Sequence, residues 1–209
     1  AKPAFVNVFL GRLNAVIADN GLGDGANVGE RTCLASDAYM KKLRAERNGR
    51  GTRQIAASMR NGEQVRTLAG VDVYTIPPKA FAEFLEAGWA PTDVTAYSTT
   101  DLPVDASVDL SSLWEVPAAF EAVARDLAAR GSEVDSAADL ITALRASGIL
   151  DLFHDWPPEE CDEVRADGKI PVTEKWLPRI ALDDLMTRAA LESFRVDQQA
   201  LDDRLRAML

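Results

Sequence analysis

An α/β chain is what this sequence predicts, with three parallel strands in its first 88 residues and mostly helices after them. Three observations predict it. Short apolar, β-prone runs recur at 4–10, 54–59 and 72–76, and each leads into a helical stretch that stops at glycine or Asn-Gly; after Gly88 no such run follows. Strand and helix alternating at this spacing imply parallel strands joined by crossover helices.

The run Ala4 to Leu10 (AFVNVFL) is nearly continuous in its hydrophobicity, the pattern of a strand buried on both faces of a parallel sheet. Gly11 to Ala18 reads as a helix that ends near Asn20-Gly21. Residues 20–29 (NGLGDGANVG) form a Gly-rich loop, and a stronger helix runs from about Leu34 to Glu46 with basic residues in its last turns. Gln54 to Met59 is the second strand. Asn61 is a natural N-cap for the helix GEQVRTLA, which Gly70 stops. Asp72 to Ile76 is the third strand, and Pro77-Pro78 opens the helix KAFAEFLEA, closed by Gly88.

Residues 89–112 are rich in Thr, Ser and Asp and carry no strong period. Pro117 to Arg130 is an amphipathic helix with Phe120, Val123, Ala124 and Leu127 on one face. Ser136 caps the next, which carries Leu140, Ile141 and Leu144 as far as Gly148. Asp155-Trp156-Pro157 starts a short acidic helix terminated by Gly168. From Leu182 to Leu209 one long helix places Leu185, Met186, Ala189, Phe194, Leu201, Leu205 and Met208 on a stripe expected to be buried.

With 47% hydrophobic and 27% charged residues in 209, the chain has the content of a folded globular protein rather than a disordered one. A net charge of −10 leaves no broad basic surface for nucleic acid, while a small phosphorylated ligand needs only two or three placed cations. No apolar run reaches the length of a membrane span, and the first residues lack the pattern of a signal peptide. Cys33 and Cys161 are too few for a disulfide framework and fit a reducing cytoplasm.

Arg12 comes just after the first strand and Arg60 just after the second. Residues at the carboxyl ends of parallel strands face the ligand crevice. Two guanidinium groups there, with Asn7, Ser58 and the amides of a helix N-terminus at Asn61 to Glu63, have the chemistry of an anion pocket; the alternative is that each arginine pairs with a surface carboxylate.

The segment NVFLGRLNAVI (7–17) resembles the sixth barrel strand of the transaldolase family, usually written SPFVGRI. The segment QIAASMRNGEQVRTLAGVDVYTIPPKAF (54–81) is similar to the family's seventh strand, with its ASFRN motif, and to its eighth, with a TIPP-type motif; the closing SFRVDQQALDDRLRAML (193–209) resembles its last helix. The likeness covers residues 4–85 and about 190–209. It implies a partial TIM (β/α)8 barrel, holding the last three strands, with residues 1–88 as barrel, 89–181 as an insertion or extension and 182–209 as a helix packing on the barrel. It further implies that Arg12 and Arg60 bind the phosphate of a sugar phosphate substrate and that Phe9 lies beside the substrate. Asn7 stands where the family usually has a serine, and Val8 replaces the usual proline.

Transaldolases form a Schiff base between a fourth-strand lysine and a ketose carbonyl, with acidic residues on the first and third strands moving protons. None of those strands is recognisable here. Lys79 follows Pro77-Pro78 in a first helical turn and is expected to meet solvent, and Lys2, Lys41 and Lys42 lie on exposed stretches, so the chain supplies no catalytic residue of its own. Three strands also cannot close a barrel. The expected function is therefore that of the C-terminal subunit of a split transaldolase-like enzyme, completed by a separate N-terminal half. Two alternatives stay open: a fragment of a full-length transaldolase, and a non-catalytic interaction or regulatory protein.

The remaining candidates have plainer expectations. His154 has no spacing that suggests a metal site, and no cofactor is implied. The glycines at 21, 23, 25 and 29 do not lead directly from strand to helix as a phosphate cradle requires, and read as a flexible connection. Glu159, Glu160, Asp162 and Glu163 read as a solvated helix face. Trp89, Trp114, Trp156 and Trp176 suit helix packing, a subunit contact or ligand stacking alike.

Overall fold

The computed structural model describes residues 3–131, 134–149, 152–177 and 179–208. The expectation for Lys2 falls outside them, as does the final residue of the last helical segment. The chain divides into two compact units, Ala1–Leu110 and Ser111–Leu209.

The first unit holds a parallel sheet of β1 (Phe5–Phe9), β2 (Arg53–Ala57) and β3 (Val73–Tyr74), in that order. Its helices are α1 (Leu10–Asp19), α2 (Val28–Ala45), α3 (Gly62–Thr67) and α4 (Pro78–Glu86). The register sets Val8 beside Ala56 and Ala56 beside Tyr74, all turned toward a core built on Leu10, Cys33, Leu34, Met59 and Leu68. Side chains alternate across a strand, so Phe5, Asn7 and Phe9 stand on the other face, in register with Arg53, Ile55 and Ala57.

That second face corrects the reading of the first strand. β1 was expected to be buried on both faces, yet Phe5 is 48% and Phe9 36% exposed. The core clusters on one face, and β1 pairs with β2 alone among the described residues. Its other backbone edge and one apolar face are therefore left open. β3 is also shorter than expected, two residues instead of five.

The Gly-rich stretch differs from expectation too. α2 starts at Val28, about two turns earlier than predicted, because Gly29 lets its first turn rest on α1: a Cβ at Gly29 would sit 2.2 Å from the Leu10 carbonyl oxygen. The preceding loop is pinned. Gly23 bridges Ala106 in antiparallel fashion, Ser107 N–H donates to the Leu22 carbonyl (2.7 Å), and the Asn27 amide donates to the Pro103 carbonyl (2.9 Å). A Cβ at Gly23 would lie 2.1 Å from the Asp105 carbonyl oxygen, so the glycine serves a close backbone approach. The segment after residue 88 thus packs within the first unit, and Leu102 joins its core.

Cys33 is buried in that core, and burial, with the charges of Asp37 and Glu30, pushes its thiol up to about 12. A thiol must ionise to react. Iodoacetamide at pH 8 should therefore label Cys161 on the native chain and Cys33 only after unfolding, as read by peptide mass spectrometry. Equal labelling of both native thiols would contradict this packing.

The second unit is helical: α5 (Ala118–Ala129), α6 (Ala137–Ala146), α7 (Pro158–Asp167) and α8 (Leu182–Arg206). Ser136 caps α6 reciprocally, its hydroxyl accepting from Asp139 N–H (3.1 Å) while its own N–H donates to the Asp139 carboxylate (3.0 Å). α7 ends at Gly168, whose φ of +85° suits glycine. Trp176, Val164, Ile180, Leu185 and Ala189 form the core.

Two expectations fail in this unit. The stripe on α8 is buried only in its first half: Leu185, Met186 and Ala189 are inside, whereas Phe194, Leu201, Leu205 and Met208 are exposed. The acidic residues of α7 are not all solvated, because Glu160 accepts from His154 (2.7 Å) and Arg179 (3.0 Å). His154 makes this local hydrogen bond and also meets Trp156 edge-on. Among the described residues no helix is long and apolar enough to cross a membrane.

Candidate phosphate-binding site

The carboxyl ends of β1 and β2 bring the two sequence motifs together. β1 runs straight into α1, with Phe9 as its N-cap, so Gly11 and Arg12 lie in the first turn of that helix. β2 ends at Ala57, and the chain turns at Ser58, whose φ of +66° is left-handed. A non-glycine residue in that region is uncommon and points to a local constraint. The turn brings the Ser58 carbonyl onto Gly11. A Cβ on Gly11 would lie 2.3 Å from the Ser58 carbonyl oxygen, 2.8 Å from Arg60 Nε and 3.1 Å from Arg60 Cγ. The GR pair after the first strand and the SMR triplet after the second therefore touch.

Arg12 lies with its guanidinium carbon 5.8 Å from the centre of the Phe9 ring, a cation–π arrangement. The Arg60 side chain rises past Gly11 and is exposed, and it makes no ion pair with any described carboxylate. Pairing with a surface carboxylate, the plainer reading of that arginine, is thus absent among the described residues. Asn7 and Phe9 share the open face of the sheet, with Asn7 beside Ile55 and Phe9 beside Ala57.

A buried polar chain sets the position of Arg60. Its backbone N–H donates to Gln64 Oε1 (2.6 Å), and Gln64 Nε2 donates to Glu30 Oε1 (2.7 Å). The other Glu30 oxygen accepts from Asn14 Nδ2 (2.9 Å), and Asn14 Oδ1 accepts from Gly29 N–H (2.7 Å). Glu30 and Gln64 are both buried, and each makes at least two of these bonds. Such satisfied networks lock geometry, because an unpaired member would carry its full desolvation cost. The chain of bonds crosses from α3 through α2 to α1, so Arg60 and Arg12 are held on elements fastened to each other.

Sequence reasoning missed this support. Asn61 does cap α3 as expected, accepting from Gln64 N–H (3.0 Å). The spacing Asn61-x-x-Gln64 is a capping-box pattern, which was the one available signal. In the structure the Gln64 side chain turns to Arg60 and Glu30 instead. Nothing local marks Glu30 as its partner 34 positions away.

One part of the predicted pocket needs correcting. The amides at Asn61 to Glu63 were expected to face an anion, but Gly62 N–H donates to the Glu83 carboxylate (3.1 Å). That end of α3 already holds the chain's own anion, because Gly62 packs so closely on α4 that its Cβ position falls 2.5 Å from Phe84 N. The candidate site therefore consists of Arg12, Arg60, Ser58, Asn7 and Phe9, with the Gly62 amide already taken.

The lysines lie elsewhere in the first unit. Lys79 is exposed on α4, 3.8 Å from Glu83; Lys41 reaches the Gly70 carbonyl (2.7 Å) and Asp37; Lys42 lies over the Tyr39 ring. None stands on a strand. Among the described residues no group of three or more His, Cys, Asp or Glu is placed to hold a metal ion. No protein-family model matches the chain, and no curated protein or solved structure matches it.

Proposed function

We propose that this chain is the phosphate-anchoring part of a transaldolase-like enzyme whose remaining barrel strands, with the Schiff-base lysine, come from a separate polypeptide. The observation that carries the reading is the junction of Gly11 with Ser58 and Arg60 at the carboxyl ends of adjacent parallel strands. It gathers a guanidinium that has no carboxylate partner among the described residues beside the helix turn that carries a second one. The open edge and exposed apolar face of β1 support the need for further strands, since such surfaces are stable when paired or covered.

In this reading the partner's lysine condenses with a ketose carbonyl and releases water. The neighbouring carbon–carbon bond then breaks as the adjacent hydroxyl gives its proton to a carboxylate of the partner, the bond's electrons being held by the iminium. The phosphorylated remainder leaves as an aldehyde, and the three-carbon unit adds to an acceptor aldehyde, whose oxygen takes a proton, before hydrolysis frees the lysine. Arg12 and Arg60 grip the phosphate at the far end of the sugar, and Ser58 and Asn7 take hydroxyl or phosphate oxygens. Phe9 walls the substrate. Binding a remote phosphate positions the reacting carbons, which is where such anchoring raises the rate.

The test is co-purification with the product of a neighbouring gene, then borohydride trapping with fructose 6-phosphate. Label on a lysine of the co-purified protein supports the reading; label on this chain, or turnover by this chain alone, overturns it. In the active complex Arg60→Ala is expected to lower kcat/KM for the phosphorylated sugar about 100-fold, the equivalent of one charge-assisted pair at ~2–3 kcal/mol. The unphosphorylated sugar should lose little. An equal loss on both substrates would remove the phosphate role.

A further inference from the structure

We propose that the second half of α8 is a homodimerisation helix, pairing antiparallel with the same segment of a second copy of this chain. The inference is independent of the chemistry proposed above. Leu191, Phe194, Gln198, Leu201, Leu205 and Met208 are spaced by alternating steps of three and four, the a/d seam of a heptad repeat. All of the apolar members are exposed, Met208 at 75%. The core-facing residues of the same helix, Leu185 and Ala189, lie on another side; Leu191 is two positions beyond Ala189, about 200° round the helix. The seam is a second apolar face, separate from the one that packs the second unit.

Charge selects the occupant and its direction. With Leu191, Gln198 and Leu205 at a and Phe194, Leu201 and Met208 at d, the flanking e and g positions are Arg195, Asp202, Asp197 and Arg204. A parallel pair would set Asp197 against Asp202 of the second copy, like against like. An antiparallel pair layers Leu191 on Met208, Phe194 on Leu205 and Gln198 on Leu201. It also sets Asp197 beside Arg204 and Arg195 beside Asp202, each twice by the twofold axis. The one polar seam residue, Gln198, is already satisfied by Asp202 on its own helix (2.7 Å). The seam spans about 27 Å, too short to nucleate by itself, but the first half of α8 is packed and supplies the nucleus.

Sedimentation equilibrium on the full chain at ~100 μM tests the proposal, at a loading suited to roughly micromolar association. The expected result is a dimer, converted to a monomer with unchanged circular dichroism by Leu201→Glu together with Leu205→Glu. Asp197→Arg puts two cations together in the antiparallel pair and should weaken association about tenfold or more. Adding Arg204→Asp to it should restore association. A monomeric wild type, a dimer indifferent to the two glutamates, or an Asp197→Arg chain that associates more tightly, as a parallel pair would, overturns it.

Discussion

Gly11→Ala should lower the stability of the first unit by about 2 kcal/mol, the cost of forcing a methyl group into a closed backbone contact. In most helices the same change stabilises, since alanine outranks glycine by up to ~1 kcal/mol. Here that gain is outweighed, because the new Cβ would meet the Ser58 carbonyl oxygen at 2.3 Å and no side-chain rotation relieves it. The strands would have to separate at their carboxyl ends, Phe9 and Ala57, or Ser58 would have to leave its left-handed conformation. The Arg60 stem is also within 3.1 Å, so the site should be disturbed before the fold is lost. Thermal unfolding followed by circular dichroism checks the first effect, with a fall of roughly 10 °C expected for a unit of this size. An unchanged melting temperature would mean that the two motifs do not touch.

Glu192→Ala is the second large effect, and it acts on the other unit. Glu192 is fully buried in α8 and accepts from Arg165 at 2.9 and 2.8 Å, with Arg188 at 3.4 Å and Arg195 at 3.3 Å. Burial by itself raises its carboxyl pKa, but the hydrogen bond and charge of Arg165, with the charge of Arg195, outweigh this and hold it below the ordinary value of 4.5. Removing the carboxylate leaves three cations facing one another across a small cavity. Their partial exposure lets water take up part of the loss, so we expect about 2 kcal/mol, below the 3–5 kcal/mol of a sealed pair. The pH dependence has a definite sign. A lowered folded pKa means stability that is present above about pH 4.5 and lost as the pH falls through the folded value. Acid unfolding of the wild type should therefore steepen below pH 4.5, and Glu192→Ala should flatten that limb. Identical acid limbs would show that the arginines do not hold this carboxylate.

The expected elements and the observed ones agree where local chemistry decides the outcome. Asn61 and Ser136 cap their helices, Gly168 ends its own, and Pro78 sits at a first helical position, because each acts on backbone groups a few residues away. The agreement breaks where a distant neighbour decides. Gly29 reads as loop but serves a helix, since its role depends on Leu10. The apolar run of β1 reads as doubly buried, although one of its faces stands open to solvent. The stripe expected along α8 is in fact two faces: Leu185, Met186 and Ala189 pack inward, while Phe194, Leu201, Leu205 and Met208 lie round the helix from them and stay exposed, because apolar content by itself does not say which of two faces meets a neighbour.

By itself the sequence determined the order of strands and helices, their caps and stops, and the placement of Arg12 and Arg60 just past two strands, all of which follow from periodicity and nearest-neighbour backbone chemistry. Tertiary structure alone decided that Gly11 meets Ser58 and Arg60, that Glu83 occupies the amide once assigned to an anion, and that Glu30 ties the helices behind the site. Those contacts join residues tens of positions apart, and their free energy comes from packing and buried hydrogen bonds that no local pattern encodes.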